Sequence, residues 1–355
     1  MLFDPRPKTR REDLYDREKE LEAFSKAQSP LILVTGLRRT GKSSLIHVAL
    51  HDKPYIYLDA RSFEERGYIS YGDLLKELQA AVNHAVGRWR SLLDVLRLVE
   101  GVEVAGAAVR FRWGKNRVRL ADLLNRLDQW AGERGARLYV VLDEAQELSK
   151  LRGASVLPAL AYSYDNLRNL VFVLSGSKAR LLGQFLKLED PESPLYGRVV
   201  DRIELKPFTE EQAVDFLTKG AAEWGLTIED PRQVYKRLGG VPGWLAMYGY
   251  KYVTTRSHDV ALRETLESAV SLIRQEFRNF LIGREQAEAR YLTVMKAAKR
   301  CATWSEIKRA LEVAEGREIN DAEVTKLIKN LVNYSFLEKF GDVYCPPDPV
   351  IGEAF

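Results

Sequence analysis

ILVTGLRRTGKSSLI, residues Ile32 to Ile46, decides the fold. Its apolar, β-branched opening, Leu31–Thr35, reads as a strand buried on both faces. Gly36 to Ser43 then spells G-x-x-x-x-G-K-S and leads into a helix that starts near Lys42. Helix N-termini carry unpaired N–H groups and the positive end of the peptide dipole, so anions settle there. Glycine lets the backbone come close to such an anion. The cradle is Gly36, Leu37, Arg38, Arg39, Thr40, Gly41, Lys42, Ser43 and Ser44. Lys42 reaches for β- and γ-phosphates, and the Ser43 hydroxyl is placed for Mg2+.

A second stretch completes the pattern. RLYVVLDEAQEL ends an apolar strand, Leu138–Asp143, on the acid pair Asp143 and Glu144. One carboxylate there can hold the metal and the other can polarise an attacking water. The strand Tyr55–Asp59 falls between the two motifs in the chain, the order found in ATPases whose sheet inserts a strand between them. No N/T-K-x-D stretch follows to read guanine, so the expected cofactors are ATP and Mg2+.

Around these motifs the chain changes rhythm twice. To about residue 207, apolar runs alternate with helical stretches, including Leu170–Ser175 and Val200–Leu205, which predicts an α/β parallel sheet. Val99–Trp113 interrupts as a hairpin, with alternation at Val109, Phe111 and Trp113. Residues 208–283 read as a helical lid, with Thr209 and Gln212 as a capping box and Pro242 opening a helix after Gly239-Gly240. Residues 284–355 read as three helices and a hairpin, a winged helix. Thr303 with Glu306 caps one helix, and Asn320 caps another whose apolar positions are Val324, Leu327, Ile328, Leu331 and Val332.

The bulk numbers narrow the class. The 355 residues allow two or three domains, and a net charge of +4 permits nucleic-acid binding without requiring it. No apolar run is long enough to span a bilayer, and Met1–Arg11 is charged rather than signal-like, so a cytoplasmic protein without a membrane partner is expected. Cys301 and Cys345 are too few for a disulfide framework and read as reduced thiols. His47 and His51 have metal-ligand spacing but no third ligand nearby. RPKTRRE, Arg6–Glu12, reads as a solvated charged tail.

Taken in order, YDREKEL (Tyr15–Leu21), GLRRTGKSSL (Gly36–Leu45), LDEAQEL (Leu142–Leu148), LSGSKARLL (Leu174–Leu182), SPLYGR (Ser193–Arg198), LKPF (Leu205–Phe208) and GGVPGWL (Gly239–Leu245) resemble the archaeal ATPase family. That family belongs with the AAA+-related, STAND-type P-loop ATPases and is akin to the origin-recognition initiator ATPases. The resemblance implies that Arg17 lies against adenine, as does the ring of Pro242. It implies that Ser175, or else Ser177, is a polar sensor near the γ-phosphate. It implies that Arg198 stabilises transition-state charge, in cis or from a neighbouring subunit, with structural salt-bridging as the alternative. Tyr248 is a candidate for stacking on adenine or for core packing. Initiators carry an arginine on the lid helix where this chain has Gly243-Trp244, which favours a switch over a replication initiator.

The expected function is therefore a slow, Mg2+-dependent ATP hydrolase acting as a molecular switch, with ATP and ADP as ligands. Lys42, Asp143, Glu144 and Arg198 are its catalytic candidates. The alternative is a DNA-binding or initiator-like regulator that ATP licenses. Lys326, Lys329, Asn330 and Asn333, with Thr325, are the candidate DNA-facing residues of the winged helix. Residues 281–355 hold 11 Lys+Arg against 12 Asp+Glu, a net of −1, so a protein partner or self-association stays open beside DNA. Arg38 and Arg39 have no role that a phosphate cradle requires.

Overall fold

The computed structural model describes residues 1–112 and 117–355. They form two compact units that the chain enters more than once. One comprises Arg17–Thr35 with Lys42–Glu204, here the sheet unit; the other comprises Met1–Asp16, Gly36–Gly41 and Leu205–Phe355, here the helical unit.

The sheet unit follows the alternating rhythm. Its elements are α1 (Glu18–Lys26), β1 (Leu31–Thr35), α2 (Lys42–Ala49), β2 (Tyr55–Asp59), α3 (Tyr71–Arg88), α4 (Leu92–Leu96), β3 (Val102–Ala105), β4 (Ala108–Phe111), α5 (Leu120–Gly132), β5 (Leu138–Asp143), α6 (Leu157–Asn166), β6 (Leu170–Gly176), α7 (Ala179–Leu186) and β7 (Asp201–Glu204). Five strands make a parallel sheet in the order β2-β5-β6-β1-β7. Every residue of β5 and β6 is buried, because both faces are covered. The edge strands β2 and β7 alternate instead. Strand β6 separates the phosphate-loop strand from the acid-pair strand, the insertion that the chain order predicts.

The Val99–Trp113 hairpin forms as a separate two-stranded sheet, not as an edge of the main one. The described part stands on α3. Asn83 exchanges two hydrogen bonds with the Val109 backbone, and Gln79 accepts from the Phe111 N–H at 2.6 Å. Trp113 lies outside the described residues.

The helical unit contains α8 (Glu210–Ala222), α9 (Pro231–Leu238), α10 (Pro242–Thr255), α11 (His258–Leu281), α12 (Glu288–Ala298), β8 (Ala302–Thr303), α13 (Trp304–Glu315), α14 (Asp321–Asn333), β9 (Glu338–Phe340), β10 (Val343–Cys345) and α15 (Pro349–Glu353). The capping boxes at Thr209/Gln212 and Thr303/Glu306 are present, and Asn320 caps α14. The lid and winged helix anticipated as separate regions share one hydrophobic core. Phe277 and Phe280 of α11 join it, meeting Phe336 at 5.2 and 5.6 Å between ring centres.

One expectation is refined and another fails in this unit. Arg6–Glu12 is exposed apart from half-buried Lys8, as a solvated charged stretch should be, but it is not a free tail. Leu2 and Phe3 are buried, and Lys8 donates to the carbonyls of Leu2 and Asp4. Apolar residues at its ends, absent from the basic stretch itself, hold it down. The cysteines are not reduced thiols either. Cys301 and Cys345 form a disulfide that joins the chain before β8 to the end of β10. The β8-β10 pairing brings these distant residues together, which sequence spacing does not reveal.

Candidate functional site

Strand register assembles the acids. Leu142 pairs with Leu174, and Val34 pairs with Ser175, so the ends of β5, β6 and β1 fall level. There the Ser43 hydroxyl, in the first turn of α2, donates to Asp143 Oδ2 at 2.9 Å. Ser175 donates to the other oxygen, and Tyr57 also donates to Oδ2. Asp143 is 1% exposed and accepts hydrogen bonds from three neutral hydroxyls. A hydroxyl and a carboxylate on adjoining elements are the hard oxygen donors Mg2+ accepts, with water and phosphate completing its shell. Ser43 and Asp143 therefore fit that ion.

Glu144 is arranged differently. Its backbone is left-handed, φ 52° and ψ 46°, a conformation that costs a non-glycine residue about 1 kcal/mol. Its Oε2 accepts from the Ser177 N–H at 3.1 Å, the Ser177 hydroxyl at 2.6 Å and the Gln146 amide at 2.6 Å. Ser175 and Ser177 are therefore not interchangeable: one serves Asp143, the other Glu144. A Cβ on Gly176 between them would come within 2.6 Å of Gln146 Oε1, so a side chain there would push the Gln146 amide aside. Tyr57, Gln146 and Gly176 escaped the sequence reading. A tyrosine in an apolar strand and a glutamine after an acid pair carry no chemical signal until register places them. Burial and the Asp143 charge both raise the Tyr57 phenol well above its usual range, so it stays a donor. His47 stacks on Tyr57 at 4.7 Å, and burial lowers its pKa. His51 points elsewhere, 3.9 Å from Asp52. Among the described residues no cluster of three or more His, Cys, Asp or Glu could hold a metal.

The phosphate loop has the backbone that its glycines allow. Gly36 has φ +146°, and a Cβ there would meet the Leu205 carbonyl at 2.4 Å; Gly41 has φ +98°. Thr40 closes the turn, donating through its hydroxyl to the Leu37 carbonyl at 2.8 Å. Lys42 is buried at the head of α2, with Ser44 following in its first turn.

The remaining candidates scatter. Arg17 precedes α1, at its N-cap position but without a side-chain cap, and pairs with Glu20 at 3.1 Å; it is buried rather than on the surface. Pro242 opens α10, where the Gly240 carbonyl accepts from Phe208 N–H at 2.7 Å. Tyr248 is core, its hydroxyl 2.9 Å from His258 Nδ1. For Arg198 the alternatives are a catalytic role, in cis or in trans, and a structural salt bridge; the structure shows a salt bridge. It precedes β7 by three residues, at the end of the sheet opposite Asp143 and Ser175. There it forms a bidentate pair with Asp165 at 2.6 and 3.2 Å and lies over Tyr164. The 187–200 connection from α7 to β7 brings it to that strand end.

On the winged helix, Thr325, Lys326 and Lys329 are exposed, while Asn330 donates to the Tyr291 hydroxyl at 2.7 Å and Asn333 is half-buried. Nearby acids are matched internally: Arg290 pairs with both Glu315 and Glu323, and Lys308 with Asp321 at 2.7 Å. Among the described residues no helix is long and apolar enough to cross a membrane.

A parallel sheet with an inserted strand, a glycine loop and a hydroxyl-served acid pair define a P-loop ATPase fold with a C-terminal winged helix. Residues 14–248 match the profile of an ATPase domain predominantly from Archaea, and the chain belongs to that family. Residues 285–347 match the C-terminal winged helix-turn-helix domain of MCM proteins. The structure of the Walker-type ATPase PABY2304 of Pyrococcus abyssi superposes with a TM-score of 0.85 at 32% identity, covering 100% of this chain and 99% of that one. The ORC2 protein of Aeropyrum pernix, in ADPNP-ADP complexes, gives a TM-score of 0.61 at 14% identity over 99% and 96% of the two chains, a likeness of fold. No curated protein sequence matches.

Proposed function

We propose that this ATPase is a slow, Mg2+-dependent, nucleotide-driven switch of the STAND type. The observation that carries the reading is Asp143: one buried carboxylate receives hydroxyls from both the phosphate-loop helix and β6, with Glu144 beside it. Lys42 and the backbone of Gly36–Ser44 hold the phosphates. Ser43 and Asp143 would hold Mg2+, which when bound would supply charge stabilisation for the transferred phosphoryl group. Glu144, oriented by Ser177 and Gln146, takes the proton of the attacking water. The adenine roles that family resemblance implies for Arg17 and Pro242 belong to this reading; a role for Arg198 does so only in trans.

The test compares phosphate release and ATP affinity in wild type and Glu144→Gln. Hydrolysis is expected to fall by about 10²-fold or more with affinity retained. Equal turnover in both would remove Glu144 from catalysis, and a Lys42→Ala protein that binds ATP as tightly as wild type would remove the cradle.

A second reading, in which ATP licenses DNA binding, draws on Lys326 and Lys329 lying exposed while Glu315 and Glu323 are paired with Arg290 and Arg317. It predicts a duplex gel shift that weakens steeply with salt and responds to ATP. Absence of any shift at low salt leaves the winged helix as a protein-contact or self-association module.

A further inference from the structure

Arg38 and Arg39, side chains that a phosphate cradle does not require, have a shared partner in the helical unit. Glu276, near the C-terminal end of α11, accepts from Arg39 at 2.7 Å and Arg38 at 3.2 Å. The Arg39 guanidinium also lies 4.3 Å from the centre of the Trp244 ring, and its carbonyl accepts from the Gly243 N–H at 3.0 Å. Gly243 permits this approach: a Cβ there would come within 2.6 Å of Arg39 Cβ. The loop is therefore held by side chain and backbone together, with Arg39 itself in a left-handed conformation at φ 64°.

We propose that Glu276 is the positioning residue of the phosphate loop and that, through α11, it passes the loop's state to the winged helix. The inference rests on the nucleotide-binding reading above. A carboxylate shared by two guanidiniums sets where both arginines, and the backbone between Leu37 and Thr40, can lie. Preorganising a loop in its binding geometry removes an ordering cost from the binding step. The next residue, Phe277, meets Phe336 and Phe355 at 5.2 and 4.7 Å between ring centres. Arg274 donates to the Ala354 carbonyl at 3.0 Å, beside α15. One rigid helix thus carries the loop's anchor and two attachments to the C-terminal core. The ligand that engages this device is a nucleoside polyphosphate, because the anchored backbone is the phosphate cradle.

The experiment measures ADP and non-hydrolysable ATP-analogue affinity, with Mg2+, in wild type, Glu276→Gln, Glu276→Asp and the double variant Arg39→Ala/Glu276→Gln, beside Arg39→Ala alone. Amide exchange of α11, α14 and α15 is followed with and without the analogue. Glu276→Gln is expected to weaken binding about tenfold, the effect of one lost charge-assisted bond. Glu276→Asp should restore part of it, and the double variant should be no worse than the worse single one. In wild type the analogue should slow exchange in α11 and in α14 or α15; in Glu276→Gln that response should vanish at saturating analogue. A folded Glu276→Gln protein that binds as tightly as wild type, or keeps the full exchange response, overturns the proposal. So does a wild type that binds without any response in α14 and α15. Wild type that fails to bind either nucleotide overturns the function itself, and this inference with it.

Discussion

Two sets of buried or half-buried acids in this molecule are satisfied in opposite ways. In the sheet unit, Asp143 accepts hydrogen bonds from the hydroxyls of Ser43, Tyr57 and Ser175. In the winged helix, Glu315 and Glu323 share Arg290, and Glu315 also pairs with Arg317 at 2.7 Å, two guanidiniums for two carboxylates. Neutral donors orient a carboxylate and leave its charge in place; a guanidinium cancels it. The first arrangement is ready for a cation, and the second removes negative charge from a face that would meet an anion.

Asp143→Asn strikes this comparison hardest. It keeps the shape and hydroxyl partners but removes the charge, so hydrolysis should fall on the order of 10²-fold and lose its response to Mg2+ titration. Turnover that still rises with Mg2+ as in wild type would show that the metal binds elsewhere.

Asp348 is a third kind of acid, whose side chain caps α15 by accepting from the Ile351 N–H at 3.0 Å. Desolvation pushes its carboxyl up to about 6, above the unfolded value. The folded state then binds a proton more tightly than the unfolded one, so stability falls as pH rises from about 4 through 6. Asn caps equally well and does not titrate, so Asp348→Asn should stabilise by roughly 1–3 kcal/mol at pH 7 and make no difference near pH 4. Denaturant midpoints across that range check it; a constant offset at all pH values would mean that ionisation is not the cause.

Ser177→Ala removes one of Glu144's side-chain donors. Turnover should drop about tenfold with little change in ATP affinity, the size of a single hydrogen bond. An equal loss of affinity would assign Ser177 to the nucleotide instead. The smallest effect belongs to Arg290→Ala, at about 1 kcal/mol of stability for a half-exposed pair. If the winged helix contacts DNA, the same change takes Arg290 from Glu323 and leaves Glu315 with Arg317 alone, and should weaken a low-salt gel shift; a stronger shift would contradict the masking role.

The sheet, its strand limits and the acid pair were legible because buried parallel strands must be continuous apolar runs and because phosphate chemistry needs glycines, a lysine and acids in fixed local order. Leu138–Asp143 is predicted and observed with the same ends. What was not legible depends on register and on contacts distant in sequence. Ser175 and Ser177 could not be told apart until β5 and β6 were aligned. For Arg198 the family pattern left catalysis and salt-bridging open, and only its position before β7, at the other strand end beside Asp165, separates them within one chain. The Cys301–Cys345 bond awaited the β8-β10 pairing, and the Arg38-Arg39 pair awaited Glu276, more than 200 residues on.

The placement of Phe3 bears on how this polypeptide is made. Its ring occupies the space where side chains on Gly220 and Gly249 would stand, within 2.3 Å of a Cβ at either position. During synthesis from the N-terminus, Phe3 emerges long before the helices α8 and α10 that receive it. The sheet unit, ending at Glu204, has its whole sequence available first. The helical unit closes only after the ribosome has passed Gly249, and a protein shortened by its first few residues would translate normally yet leave a phenyl-sized hole between α8 and α10.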